Sequence, residues 1–166
     1  MNIYELYTKK YNLNESAEDY VKWAYNALVN GYDSEQLRIL SSYDNNSNLF
    51  EVSKVFDKVI MECNIAEPSQ EECLLFKALR IAIEIRDREV DLVEKAKEMF
   101  YILVELEYSE KLMEWYWVSE DIDASKYDLS RKDLTEEKLH SIIRNQAEKS
   151  VIELSKLIDD KELSSE

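Results

Sequence analysis

One glycine and one proline in 166 residues constrain the fold of this chain more than any other feature. β-Hairpins rely on glycine and proline for tight turns, whereas short connections between helices can use asparagine, aspartate and serine. The scarcity of both residues therefore argues against a β-rich fold. Hydrophobic residues make up 45% of the chain and charged residues 34%, a composition typical of neither a disordered nor a membrane protein. A chain of this length can bury an adequate core without disulfides or metals.

Apolar residues recur at helical spacing in successive segments, and residues that favour helix ends separate these segments. Gly31 follows the second segment, where a left-handed residue is expected. Residues 73–86 are apolar on nearly every side, which indicates a buried helix, with a strand over Leu79 to Ile85 as the alternative. The residues predicted to open helices are Ser16 with Asp19, Asp33 with Gln36, Ser69 with Glu72, Asp91 with Glu94, and Thr135.

These patterns predict an all-α fold, a single-domain bundle of about eight helices with no sheet. The domain is expected over residues 1–160, followed by a frayed acidic tail over residues 161–166. A short helix is predicted from Ser109 through about Asp121, an irregular loop over residues 121–134, and a long terminal helix after it. A helical-repeat architecture is the alternative, although no internal repeat is strict.

The formal net charge of −15 limits the possible partners. Nucleic acids and anionic membrane surfaces are excluded, because both bind through lysine and arginine. An acidic field favours solubility and fast encounter with a basic partner, and a well-solvated acidic protein without such steering is the alternative. The N-terminal segment lacks the apolar stretch of a signal peptide, and no apolar run approaches the ~20 residues of a membrane span. A cytoplasmic location is therefore expected.

The sequence offers little for catalysis. His140 is the single histidine, and a chain with one glycine has no nucleophile elbow, phosphate-binding loop or dinucleotide fingerprint. Glu137 and His140 form half of a ferritin-like di-iron motif, but the second half needs another histidine. Cys63 and Cys73 are not arranged as a zinc site. We therefore expect no enzyme activity, no catalytic residue, no cofactor and no bound metal.

The stretch from Tyr101 to Asp123 is the most distinctive part of the chain, since seven carboxylates accompany a single basic residue, Lys111. Three consecutive aromatic residues on a helix cannot all face one core, so at least one ring should be exposed or covered by a loop. The alternative is that Tyr116 and one tryptophan are core, with the second tryptophan shielded by the loop around Tyr127. The residues predicted to bind a basic protein partner are Glu105, Tyr108, Glu110, Glu114, Trp115, Trp117, Glu120 and Asp121.

Residues 23–40 read WAYNALVNGYDSEQLRIL, in which a Trp-Ala helix ends at Gly31 and Asp33-Ser34 opens the next helix. This pattern resembles small uncharacterised helical bacterial proteins, some of which are regarded as immunity proteins that neutralise toxins. A weaker echo spans Arg86 to Ala96, where the glycine is missing. The resemblance carries over no catalytic or binding residue.

The leading hypothesis is a cytoplasmic, non-enzymatic binding protein, and specifically an immunity protein that occludes a basic toxin. The first alternative is a structural or scaffold domain that uses its helices for homo-oligomerisation. The second is an enzyme whose catalytic carboxylates come from two different helices, an arrangement that sequence spacing does not reveal.

Overall fold

The computed structural model describes residues 1–128 and 130–158, which form eight α-helices and no strand. The predicted all-α fold is therefore confirmed for these residues. Leu129 and the predicted acidic tail lie outside the described residues. The helices are α1 (Ile3–Tyr11), α2 (Ala17–Val29), α3 (Glu35–Ser41), α4 (Leu49–Glu62), α5 (Gln70–Asp87), α6 (Leu92–Glu105), α7 (Glu114–Tyr127) and α8 (Glu136–Leu154), with a 3-10 turn at Glu110–Leu112.

The helices gather into two compact units, and the boundary between the units falls inside α5. One unit comprises Met1–Cys73 together with Ile158, the last described residue, and the other comprises Leu74–Leu157. A division by contacts does not decide whether two units unfold as one cooperative domain. The single domain over residues 1–160 therefore stays a prediction.

In the first unit, α2 packs against α1, α3 and α4, and α3 packs against α4. Phe56 of α4 lies at the centre of its aromatic core, with the Tyr20 ring centroid 5.0 Å and the Trp23 ring centroid 4.9 Å away, both in edge-on geometry. Edge-on ring pairs add about 0.5–1.5 kcal/mol beyond the burial of apolar area. The two helices that contribute these rings, α2 and α4, are therefore held together by one cluster.

Asp19 links the start of α2 to α1. Its carboxylate lies 2.6 Å from the Lys9 ammonium and also accepts hydrogen bonds from the Ser16 amide and hydroxyl. Burial alone would raise the pKa of Asp19, but the hydrogen bonds from Lys9 and Ser16 outweigh it and lower that pKa below its ordinary value. The folded protein therefore holds this buried carboxyl group in its charged form.

In the second unit, α6 packs against α7 and α8, and α7 packs against α8. The section of α5 that belongs to this unit is tied to the others by polar contacts. Arg144 of α8 donates to the Ile85 carbonyl at 2.9 Å, and the Lys95 ammonium of α6 lies 2.9 Å from the Glu84 carboxylate. These contacts fix the helices that frame the predicted binding residues.

The apolar segment after Ser69 is helical, as predicted, and the strand alternative for Leu79 to Ile85 is wrong. Of residues 73–85, only Lys77 is exposed. A helix with apolar side chains all round its circumference is stable in water only when nearly all of its faces are covered.

Side-chain caps open most helices at the predicted residues. At α2, Asp19 accepts from the Ser16 amide. At α5, Glu72 accepts from the Ser69 amide while the Ser69 hydroxyl accepts from the Glu72 amide, which completes the predicted capping box. The other confirmed caps are Asp91, which accepts from the Glu94 amide, and Thr135, which accepts from the Lys138 amide.

The cap of α3 differs from the prediction by one residue. Ser34, not Asp33, is the N-cap, and its hydroxyl accepts from the Leu37 amide at 3.1 Å. Asp33 instead pairs with Arg38, whose guanidinium lies 2.6 Å from the carboxylate. Aspartate and serine cap helices about equally well, so two adjacent candidates are not separated by local preference.

Within the described residues, four helices end in a Schellman motif, in which a left-handed residue follows the last turn. The prediction for Gly31 is confirmed, with φ at 89° and the Tyr32 amide donating to the Ala27 carbonyl at 3.0 Å. The other three motifs use residues that are not glycine. Those residues are Leu13 (φ 54°), Asn64 (φ 50°) and Glu107 (φ 50°).

The predicted loop over residues 121–134 is wrong in its first half, because α7 continues to Tyr127. The helix also begins later than predicted, at Glu114, after the 3-10 turn that follows Ser109. Ile122 explains the extension, since it is buried and continues the inward stripe of Trp115 and Val118 at helical spacing. Abundant charge on the outer face of α7 hid this stripe from the sequence pattern.

Candidate protein-binding surface

The eight predicted binding residues lie at the end of α6, in the connection that follows it and on α7. All except Trp115 are exposed or partly exposed. The structure adds Tyr116, a partly exposed residue that lies between two of the predicted rings. The acidic-aromatic surface is defined by Glu105, Tyr108, Glu110, Glu114, Tyr116, Trp117, Glu120 and Asp121.

The prediction that Trp115 contacts a partner is wrong, because its side chain is completely buried. Its indole Nε1 donates to the Ser150 hydroxyl at 2.9 Å, and Ser150 is itself buried. A buried indole N–H needs an acceptor, and α8 supplies it. Trp115 therefore holds α7 against α8 and is not part of the exposed surface.

Three rings form a connected series across the acidic-aromatic surface. The Tyr116 ring lies 6.4 Å from the Tyr108 ring and 5.1 Å from the Trp117 ring, both in edge-on geometry. Trp117 is 59% exposed and Tyr108 46% exposed. The alternative in which the Tyr127 loop shields the second tryptophan is wrong, because Tyr127 is helical and 81% exposed while Trp117 stays accessible.

The backbone before α7 fixes the position of Tyr108. Glu107 and Tyr108 both adopt left-handed conformations, with φ at 50° and 62°. The Tyr108 amide donates to the Leu103 carbonyl at 2.9 Å, which completes the Schellman motif of α6. Two successive strained residues that are not glycine place the Tyr108 ring beside Tyr116, where a regular helix end would not.

The outer face of α6 extends this apolar surface. Tyr101 is 63% exposed and Val104 is 42% exposed, and their spacing puts them on one face of the helix. Neither residue was among the predicted binding residues. The sequence pattern did not show that these two side chains are exposed, because their exposure depends on which face of α6 the other helices cover.

The carboxylates of the acidic-aromatic surface are mostly uncompensated. Within the described part of the chain, Glu105, Glu110 and Glu114 form no ion pair. Asp121 is the exception, because the Arg131 guanidinium lies 3.4 Å from its carboxylate. The surface therefore combines exposed rings with negative charge that the protein itself leaves largely unpaired.

A groove with a cavity volume of about 280 Å³ separates α7 from α8 along part of this surface. Residues at helical spacing line it from both helices, so its walls follow the two helix axes. Among the residues that line this α7–α8 groove are Glu114, Trp117, Val118, Asp121, Gln146 and Lys149.

Gln146 is the unusual member of this lining, because a glutamine at 8% exposure needs hydrogen-bond partners. Its side chain makes no hydrogen bond to any residue in 1–128 or 130–158. No inaccessible side-chain nitrogen or oxygen is left unsatisfied in those ranges either, so its amide atoms retain access to the groove. Gln146 thus contributes both a hydrogen-bond donor and an acceptor to the lining of a small cavity.

Elsewhere, the Nε2 atom of His140 lies 4.0 Å from the carboxylate of Glu136, one turn earlier on α8. The residues that the structure describes contain no group of three or more histidine, cysteine, aspartate or glutamate side chains able to hold a metal ion.

The two cysteines do not assemble a reactive site. Cys63 is partly buried at the end of α4, and Cys73 is buried in α5. Burial raises the pKa of the Cys73 thiol to about 11, against a smaller opposing effect of a hydrogen bond with Thr8. Reactive cysteines have lowered pKa values instead.

Among the described residues, no helix is both long enough and apolar enough to cross a membrane. No protein-family model, curated protein or solved structure matches the chain.

Proposed function

We propose that this chain is a non-enzymatic binding protein that docks a basic protein partner on the acidic-aromatic surface. The observation that carries the proposal is the ring series Tyr108, Tyr116 and Trp117, set among carboxylates of which only Asp121 has an ion-pair partner within the described residues. The finer assignment is a cytoplasmic immunity protein that occludes a basic toxin. It is supported by the resemblance of residues 23–40 and by the net charge of −15.

The rings supply the affinity in this proposal. Tryptophan and tyrosine are enriched among residues whose removal costs at least ~2 kcal/mol of binding energy. The edge-on contacts that Tyr116 makes with its two neighbours hold the exposed rings in place before a partner arrives. Less side-chain entropy is then lost on binding, since the rings are already ordered.

The carboxylates supply the rate of encounter and the choice of partner. The negative charges at Glu105, Glu110 and Glu114, which have no ion pair within the described residues, attract lysine and arginine on an approaching surface over roughly the 8 Å screening length at physiological salt. Such fields raise association rates and repel acidic partners. The predicted partner is therefore basic at its contact face.

Self-association through the same surface is the competing role, because the exposed Tyr101 and Val104 beside it would suit a dimer interface. A two-fold contact, however, brings each patch against its own copy. The carboxylates of the two copies would then oppose one another without compensating cations. Charge therefore favours a basic partner of different sequence over a second copy of this chain. Size-exclusion chromatography with light scattering tests directly whether the protein forms a dimer.

The test begins with affinity capture from cells that contain the partner, followed by binding kinetics with the purified partner. We compare the wild-type chain with Trp117→Ala and with the double variant Glu110→Lys/Glu114→Lys. A matched control, Glu62→Lys/Glu153→Lys, makes the same change in net charge at exposed positions outside the acidic-aromatic surface. Tyr25→Ala is the control for removing an exposed aromatic residue.

Charge reversal at Glu110 and Glu114 should slow association about tenfold or more at low salt, and added salt should shrink the difference. Trp117→Ala should speed dissociation about tenfold or more. Both control variants should bind with wild-type kinetics. If Trp117→Ala and the charge-reversed protein bind as the controls do, the acidic-aromatic surface is a solvated face and the proposal is wrong.

A further inference from the structure

We infer that the α7–α8 groove receives one arginine side chain of the docked partner. The inference rests on the proposed function and identifies the chemistry at one position of its interface. It is carried by three residues that line the groove, Trp117, Glu114 and Gln146, and by the side-chain amide of Gln146, which makes no hydrogen bond within the described residues.

The volume of the groove sets the size of the occupant. Clefts that bind small molecules usually measure about 300–1,000 Å³. The α7–α8 groove, at about 280 Å³, falls just below that range and suits a single long side chain. A helix or strand would not fit inside it.

The α7 wall of the groove is acidic and provides the carboxylate for a cation. Glu114 and Asp121 line the α7 side, and Lys149 on the α8 side is the cation among the lining residues. The Asp121 carboxylate already pairs with the Arg131 guanidinium, which lies 3.4 Å away. Glu114, in contrast, forms no ion pair within residues 1–128 and 130–158. Glu114 is therefore the carboxylate available to an incoming positive group.

Arginine matches the remaining walls better than lysine. Its planar guanidinium can stack on the exposed Trp117 ring and still direct N–H donors at two acceptors in its plane. One acceptor is the Glu114 carboxylate, and the other is the Oε1 atom of Gln146, which has no donor from the described residues. An ammonium group is a point charge without a face for stacking, so it would use fewer of these contacts.

Lys149 opposes any cation in the groove, because like charges at short range repel. Replacing Lys149 by alanine should strengthen binding of an arginine side chain, whereas it should weaken binding of an acidic side chain.

The test uses the full chain and a defined probe, N-acetyl-L-arginine amide, titrated from about 1 to 50 mM against ¹⁵N-labelled protein. The resonances followed are the Trp117 indole N–H and the Gln146 side-chain amide, assigned from Trp117→Phe and Gln146→Leu. N-acetyl-L-citrulline amide is the neutral isostere, and the corresponding lysine and glutamate derivatives complete the set. Glu153→Gln is the control for removing a carboxylate outside the groove.

We expect both resonances to shift with the arginine probe, and citrulline to bind about tenfold more weakly, since its ureido group lacks the charge. Glu114→Gln and Gln146→Leu should each weaken binding severalfold, Lys149→Ala should strengthen it, and Glu153→Gln should leave it unchanged. Equal binding of citrulline, stronger binding of the lysine or glutamate probe, or no shift at the highest concentration would each overturn the inference.

The two proposals fail separately. If the arginine probe does not bind but Trp117→Ala still loses the protein partner, the docking surface stands and the arginine site is wrong. If the probe binds as expected while Trp117→Ala and Glu110→Lys/Glu114→Lys bind the partner with wild-type kinetics, the groove recognises arginine but is not part of the proposed interface.

Discussion

Gly31 should tolerate no side chain without a measurable loss of stability, even though there is room for one. A Cβ atom built at Gly31 has no atom within 4 Å beyond Gly31 itself and its two chain neighbours, so steric overlap with packed side chains contributes nothing. The φ angle of 89° lies in the left-handed region, where a residue with a Cβ is strained by roughly 1–2 kcal/mol. Alanine also stiffens the unfolded chain, which offsets about 0.4–1 kcal/mol. Gly31→Ala should therefore destabilise the protein by about 1 kcal/mol.

Leu13 provides the reciprocal change within the same compact unit. Its φ is 54°, and its side chain is 88% exposed, so replacement by glycine relieves strain and removes almost no packing. Leu13→Gly should stabilise by about 0.5–1 kcal/mol. Asn64→Gly should have a smaller effect, because asparagine visits the left-handed region at low cost.

The free energy of unfolding of each variant follows from urea denaturation monitored by circular dichroism. A change of 1 kcal/mol corresponds to roughly 2–4 °C in Tm for a protein of this size, so thermal melts give a second measure. If Gly31→Ala leaves stability unchanged, or Leu13→Gly destabilises as much as Gly31→Ala does, backbone strain at the helix ends is not what these residues determine.

Three further predictions concern the core, the acid limb of stability and metal binding. Ser150→Ala leaves the buried indole N–H of Trp115 without its acceptor and should destabilise the protein by about 1–3 kcal/mol. The double variant Trp115→Phe/Ser150→Ala should lose less stability than the two single variants added together. Urea denaturation of the three variants would show the difference. The pKa of Asp19 is lowered from its unfolded value near 3.8, so the folded state binds fewer protons than the unfolded state. The free energy of unfolding should therefore fall as the pH drops through 4 and below. Asp19→Asn should flatten that decline, as denaturation curves at several pH values would show. Untagged protein should contain well under one zinc or iron per chain by elemental analysis, because the described residues place no group of three or more possible ligands around His140. A value near one equivalent would contradict this.

Local chemistry explains which features could be predicted from the sequence. The capping boxes at Ser16 and Ser69 and the left-handed Gly31 depend on residues three or four positions apart, so their geometry is written in short segments. The same holds for the helical character of α5, whose apolar circumference is visible in its composition. Where two good caps are adjacent, as at Asp33 and Ser34, local preference is no longer decisive.

The sequence also located the acidic-aromatic stretch, but it did not show which of Trp115 and Trp117 is buried and which is exposed. Residues two apart on a helix point about 200° away from each other, so burying one of Trp115 and Trp117 exposes the other. Which one turns inward depends on an acceptor 35 residues later, the Ser150 hydroxyl, and on the stripe that Ile122 completes. Only the packing of α7 against α8 decides this, and the same packing forms the groove and leaves Gln146 in its lining without a hydrogen-bond partner among the described residues.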